Sequence, residues 1–277
     1  MNTSPHGPAA RPLSARNPRV GALRRLVRSR RDRDEARSFV IEGPTLVAEA
    51  LAADLFVDAL YLSEDHEAPD LARSVADAGG DVWTLDPGVL ASIASTETPR
   101  PVLATAGFVD VDLDTALDPA SDPQMAPLVV VAAGIREPGN LGTIVRSALG
   151  AGATAVISCD DAVDLYNPKV VRAAAGALFR VPVVRDADVD LVASALRSRS
   201  VRTLGLDADG SVSIDAADLT VAVAIVVGNE AHGLSTQVRA WLDDTVSIPL
   251  QGGLESLNAA SALTVTCFEA ARQRRLG

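Results

Sequence analysis

EPGNLGTIVRSALGAGA from Glu137, IVVGNEAHGLS from Ile225 and IPLQGGLESLNAASAL from Ile248 decide how this chain is read. Each joins an apolar, strand-like run to a Gly/Asn-rich turn and then to a helical pattern, so polar groups gather where strands end. In open α/β sheets the carboxyl ends of strands are where ligands bind. Around these segments lie apolar runs at Leu128–Ala133, Thr154–Ser158, Leu178–Val184, Val201–Leu206, Val221–Val227 and Val246–Ile248. Such near-continuous runs are the mark of strands buried on both faces of a parallel sheet.

Upstream a second alternation appears. Phe39–Ile41, Phe56–Leu62, Val82–Leu85 and Val102–Val109 read as strands, separated by helical stretches near Pro44–Ala53 and Asp70–Ala78. A first helix starts near Arg19, with Leu23, Leu26 and Val27 on one face and arginines on the other. The expected organisation is α/β throughout: a disordered leader over 1–17, a small domain over 18–109, a linker over 110–127 and a larger domain over 128–277. The linker reading rests on DVDLDTALDPASDPQMAP, which is acidic and carries three prolines.

Composition narrows the function. At 277 residues and 48% hydrophobic, the chain can bury two ordinary cores, and with 3% aromatics it builds them from Ala, Val and Leu. No apolar run approaches the roughly 20 residues that span a bilayer, and the polar N-terminus has no signal-peptide core, so no membrane association and a cytoplasmic location are expected. Cys159 and Cys267, like His6, His66 and His232, lack metal spacing, and neither a disulfide nor a metal site is expected. The net charge is −11, yet residues 1–37 hold ten arginines against Asp32, Asp34 and Glu35. A basic segment on an acidic body suits a polyanion, and equally suits a solvated helix face.

Taken in order, the three opening segments resemble the SpoU (TrmH) family of RNA ribose 2′-O-methyltransferases. The resemblance rests on Asn140 standing six positions before Arg146, on Glu230 inside a Gly-Asn-Glu turn, and on Ser256-Leu257-Asn258 following an Ile-Pro strand end. LYNPKVVRAAAGALFRVPVV over 165–184 is also similar to family members, which often have Ser where Ala174 stands. The N-terminal part resembles the substrate-binding domain of many SpoU-type enzymes, a fold similar to RNA-binding ribosomal proteins. There the carrying residues are Asn17-Pro18, the arginine-rich first helix, FVIEGPTLVAEAL from Phe39 and STETPRPVLA from Ser95; Gly21 and Ala22 stand where relatives often have a lysine.

The resemblance implies a SPOUT-type α/β trefoil knot, a homodimer, S-adenosyl-L-methionine as cofactor and RNA as substrate. Ribosomal RNA of the large subunit (23S) is favoured over tRNA. It further implies a catalytic set of Asn140, Arg146, Glu230, Ser256 and Asn258, with cofactor contacts from Gly228, Asn229, Gly233, Ile248, Leu250 and Leu257. Arg24, Arg28, Arg31, Lys169 and Arg172 are candidates for RNA phosphate contacts.

The residues have readings of their own beside the family's. On a helix starting near Asn140, Leu141, Ile144, Val145 and Ala148 form the apolar stripe and Arg146 lies off it, free to face a cleft. A guanidinium is a poor base at neutral pH, so Arg146 is assigned to gripping a phosphate and placing the hydroxyl. Asn140 and Ser256 are each expected to cap a helix. Glu230, in a Gly-flanked turn, is placed to fix a nearby guanidinium or the substrate. The last helix, Leu257–Arg275, is apolar on more than one side, with Ala260, Leu263, Val265, Cys267, Phe268 and Ala271, which predicts a second buried face.

Two other functions compete. A Rossmann methyltransferase or dehydrogenase needs a Gly-x-Gly turn after its first strand, and none is present; no Gly-Lys-Ser/Thr phosphate loop is present either. A non-catalytic RNA-binding protein of the same fold would not need Asn140, Arg146, Glu230, Ser256 and Asn258 together.

Overall fold

Asn17 starts the first helix, α1 (Pro18–Arg28), by accepting the Arg19 amide at 2.9 Å, and Pro18 supplies the fixed φ favoured at the first helical position. In the computed structural model, residues 12–86, 88–93, 100–118 and 126–276 are described, and they fall into two units divided between Phe108 and Val109. The first unit continues with α2 (Arg30–Ala36), β1 (Ser38–Glu42), α3 (Pro44–Ala52), β2 (Val57–Ser63), α4 (Pro69–Asp77), β3 (Asp81–Leu85), α5 (Val89–Ile93) and β4 (Val102–Gly107). Its sheet has the order β1-β4-β2-β3, with β4 antiparallel to both neighbours and β3 parallel to β2. Val20, Leu23, Leu26 and Val27 of α1 close one face of that sheet over Val40, Tyr61 and Leu103.

The second unit is built on a parallel sheet of order β7-β6-β5-β10-β8-β11-β9. Its elements are α6 (Leu113–Ala116), β5 (Leu128–Ala133), α7 (Pro138–Gly150), β6 (Ala155–Cys159), α8 (Pro168–Ala174), β7 (Val183–Ala187), α9 (Val189–Ser198), β8 (Arg202–Leu206), β9 (Val212–Ser213), β10 (Val223–Val227), α10 (Thr236–Arg239), β11 (Asp244–Ser247) and α11 (Ala259–Leu276). Every residue of β5 and β10 is buried, which explains their unbroken apolar sequence. Gly142 lets α7 lie directly on α8: a Cβ there would come within 2.4 Å of the Ala173 Cβ and 2.6 Å of the Val170 carbonyl. Among the described residues no helix is long and apolar enough to cross a membrane, and no group of three or more His, Cys, Asp or Glu could hold a metal.

Several expectations need correction. Of the leader, residues 1–11 lie outside the described residues, but Leu13 is ordered against β3, donating to the Thr84 carbonyl and accepting from the Asp86 amide. The expected linker begins as part of the second unit. The Val109 and Asp110 amides each donate to the Tyr166 hydroxyl at 2.7 Å, Val111 donates to the Val183 carbonyl, and Ala116 and Leu117 are buried in the core. Residues 119–125 lie outside the described residues. The run Leu178–Val184 is not one strand. Ala175 and Gly176 take left-handed conformations and turn Ala177–Phe179 into a 3-10 helix, so β7 begins only at Val183.

Candidate active site

Where β5 ends, Gly134 turns the chain at φ 71°, and the next two peptides lead into α7. The opening amides of a helix have no acceptor within it and carry its positive end. Just ahead of α7, the amides of Arg136 and of its N-cap Glu137 find their acceptor far along the chain. Glu230 takes the Arg136 amide on Oε2 at 3.1 Å and the Glu137 amide on Oε1 at 3.0 Å, and Oε1 also accepts the Asn140 side-chain Nδ2 at 2.9 Å. Asn140 Oδ1 in turn accepts from Asn258 Nδ2 at 3.1 Å, and Asn258 Oδ1 caps α11 through the Ala260 and Ser261 amides. One continuous network thus joins the three segments that opened the sequence analysis. Burial pushes the Glu230 carboxyl up, but the Asn140 side chain and the Glu230, Glu137 and Arg136 amides outweigh it and hold the group below its ordinary value.

These contacts revise three local readings. Asn140 does not cap α7, which starts at Pro138; it sits inside the first turn and bridges two other segments. Ser256 does not cap the last helix, because Asn258 does. Glu230 fixes backbone amides rather than a guanidinium.

Beside the network lies a cavity of about 570 Å³ at the carboxyl ends of β10, β8 and β11. Gly228, Asn229, Gly233, Ile248, Leu250 and Leu257 all line it, as do Glu230 and Ser256. Gly228 is required by the turn itself, since a Cβ would sit 2.3 Å from the Gly233 carbonyl carbon. Asn229 holds the same turn: its backbone pairs with Gly233 in both directions, its Oδ1 accepts the Ala231 and His232 amides, and its Nδ2 donates to the Gly134 carbonyl. Its side chain is therefore a strut of the wall.

The remaining candidates stand apart from the cavity lining. Arg146 is exposed on α7 while Leu141, Ile144, Val145 and Ala148 are buried, and it makes no hydrogen bond or ion pair with another described residue. Lys169, at the start of α8, is exposed in the same way; Arg172 is half-buried. In the first unit Arg24 donates to the Ala15 carbonyl and Ser92 Oγ, and Arg28 to the Ser92 carbonyl, while Arg31 is exposed. Arg33 is 3% exposed and donates to the Leu26 and Val27 carbonyls, an interior use of charge that the sequence reading did not foresee.

Two charged cavity residues, Asp207 and Arg239, carried no motif. Asp207 follows β8 directly and pairs with Arg239, which also donates to the Leu234 carbonyl. Burial raises the Asp207 carboxyl, but the Asp209 amide and the Arg239 guanidinium together hold it below the usual range. The only hint in the sequence was its place one residue beyond the apolar run Val201–Leu206. Cys159 and Cys267 are buried, and burial pushes both thiols up to about 12, which leaves them protonated at neutral pH.

The cavity suits an adenosyl cofactor: its volume falls in the ordinary ligand range of about 300–1,000 Å³, and its wall combines leucine, isoleucine and valine side chains with polar and charged groups such as Asp207, Asn229, Glu230 and Ser256.

Comparison with known proteins agrees with this layout. Residues 127–268 match the SpoU rRNA Methylase family and residues 17–104 the MRM3-like substrate binding domain. The chain is 32% identical, over 98% of its length and 95% of the relative's, to a 23S rRNA (uridine(2479)-2′-O)-methyltransferase of Streptomyces viridochromogenes. It is 28% identical, over 92% of its length and 96% of the relative's, to the 23S rRNA (guanosine(2553)-2′-O)-methyltransferase RlmP of Bacillus subtilis. The crystal structure of the SpoU methyltransferase AviRb from Streptomyces viridochromogenes in complex with AdoMet superposes with a TM-score of 0.85 at 31% identity, covering 95% of this chain and 100% of that one. With the family model matched over residues 127–268, a relative 32% identical over nearly the whole of both chains and a SpoU methyltransferase structure superposing along the chain, the chain belongs to the SpoU rRNA methylase family.

Proposed function

We propose that this protein transfers a methyl group from S-adenosyl-L-methionine to a ribose 2′-hydroxyl of 23S ribosomal RNA, as a cytoplasmic homodimer. The observation that carries the reading is the network Glu230–Asn140–Asn258 at the edge of an adenosyl-sized cavity, with Arg146 unpaired on the helix the network anchors. Both relatives described above are named for 2′-O-methylation of 23S rRNA.

The cofactor supplies an electrophilic methyl on a sulfonium; the chain supplies position. Gly228–Gly233, Ile248–Leu250 and Leu257 would hold the cofactor between apolar side chains and the polar groups of the turns. Arg146 binds an RNA phosphate and places the hydroxyl in line, since a guanidinium stays protonated at neutral pH. Asn140 and Asn258 fix the helix ends on which that alignment depends, and Ser256, exposed at the cavity, contacts the substrate. Lys169 and Arg172 on α8, with Arg31 in the first unit, add phosphate contacts, whereas Arg24 and Arg28 already donate to Ala15 and Ser92.

Dimerisation is supported by α11, where Val265 and Phe268 remain 44% and 47% exposed while Ala260, Leu263, Cys267 and Ala271 are buried against the chain itself. The second face expected of this helix is uncovered in the single chain. The trefoil knot belongs to the same reading, supported by a strand order in which β10 returns between β5 and β8.

The test is incubation with labelled S-adenosyl-L-methionine and total RNA, followed by mapping of the 2′-O-methyls. Label in 23S rRNA is expected. Label in tRNA would keep the chemistry and move the target, and no transfer to any RNA would leave a binding protein of this fold.

A further inference from the structure

The sheet order β10-β8-β11 places the end of β8 between the two segments that supplied the cofactor motifs. Leu206, Asp207 and Ala208 are accordingly the third wall of the cavity, although no motif marks them. We propose that Asp207 is a cofactor-binding residue whose carboxylate accepts hydrogen bonds from the vicinal ribose hydroxyls of S-adenosyl-L-methionine; the inference rests on the methyltransferase reading above.

An acidic side chain just beyond the carboxyl end of a parallel strand is well placed for a ribose, because two hydroxyl donors need acceptors and a carboxylate has about four lone-pair sites. Asp207 has sites to spare. Its Oδ1 takes the Asp209 amide at 3.0 Å and its Oδ2 takes Arg239, which leaves each oxygen room for one more donor. The neighbouring carboxylate, Glu230, is already committed to two amides and to Asn140. Arg239 decides which part of the cofactor fits. Its positive charge already offsets that of Asp207, so the cofactor's ammonium would gain little there, whereas neutral hydroxyl donors leave the ion pair intact. The backbone is fixed as well: the Asp207 amide donates to the Val246 carbonyl and the Gly210 amide to the Asp207 carbonyl. A Cβ on Gly210 would meet Val246 and Ser247 backbone at 2.5–2.6 Å, so this loop lies flat on the end of β11.

Calorimetry on the full-length protein tests the assignment, with S-adenosylhomocysteine and its 2′,3′-dideoxy counterpart as ligands. The unaltered chain should bind the dideoxy compound on the order of ten- to a hundredfold more weakly. Asp207→Ala should weaken the parent ligand by a comparable factor and then be indifferent to loss of the hydroxyls, as expected when both changes remove one interaction. Asp207→Asn, which keeps one acceptor oxygen and the side-chain volume, should fall between and guards against misfolding of the alanine variant. Arg239→Gln opens the same ion pair but spares the acceptor, so it should retain most of the hydroxyl sensitivity. Undiminished hydroxyl sensitivity in both Asp207 variants overturns the proposal, and so does an Arg239→Gln variant that loses it as fully as Asp207→Ala. If the unaltered chain binds neither compound, the methyltransferase reading fails first and takes this inference with it.

Discussion

Two sets of cations, one in each unit, are used in opposite ways. In the first, the densest run of arginines is largely turned to internal work: Arg33 fills the end of α1, Arg24 and Arg28 hold Ser92, Arg25 pairs with Asp32, and Arg19 lies over the Trp83 ring at 4.3 Å. In the second, Arg146 and Lys169 stand exposed with no partner among the described residues, on helices that follow strand ends. Charge density along a sequence is therefore a poor guide to charge available for a ligand. What counts is whether the local fold leaves a carbonyl or carboxylate within reach.

The sharpest way to break this contrast is Arg146→Ala. With its partner-free cation removed, methyl transfer should fall on the order of 10² or more while S-adenosylhomocysteine affinity is unchanged. Near-normal turnover at saturating RNA would remove Arg146 from catalysis. Next comes Arg33→Ala, which strips buried carbonyls of a charged donor and should cost about 1–3 kcal/mol of folding stability in chemical denaturation. Arg31→Ala, by contrast, should leave the denaturation midpoint where it was.

Glu230→Gln probes the carboxylate that anchors α7. Because its folded pKa lies below the ordinary glutamate value, the stability it contributes is complete above that ordinary value and is lost as pH falls through the lower folded value. The Gln variant should melt lower near neutrality and show a flatter acid side in a plot of melting temperature against pH; identical profiles would mean the amides find another acceptor. The smallest effect is expected from Arg31→Gln. If this exposed arginine meets an RNA phosphate, the log–log salt slope of RNA binding should drop by roughly 0.7–0.9. An unaltered slope would extend the internal role of the first unit's arginines to the whole run.

Strands were the legible part of this fold. Runs such as Leu128–Ala133 and Phe39–Ile41 fall on β5 and β1 because burial on both faces writes itself directly into composition. Helix starts were less legible. Asn140 has the residue type of a cap, but what holds the Arg136 and Glu137 amides just ahead of α7 is a carboxylate in another segment, and no local signal reports that. The acidic stretch from Asp110 misled for a related reason. Val111, Leu113, Ala116 and Leu117 are spaced to face a core, yet the aspartates between them dominate the composition. Asp207 was invisible for want of a motif, and only sheet order sets it beside Gly228 and Ile248.

The bond between Glu230 and the start of α7 also sets a schedule. It spans 93 and 94 residues, so α7 is synthesised long before the carboxylate that holds its first turn. Closing so long a loop is slow compared with forming a helix turn. The growing chain therefore carries β5, α7 and β6 for some time with the Arg136 and Glu137 amides still bound to water. The Glu230–Asn140–Asn258 network is among the last features that can form, because Asn258 lies beyond the last strand of the sheet that supports it.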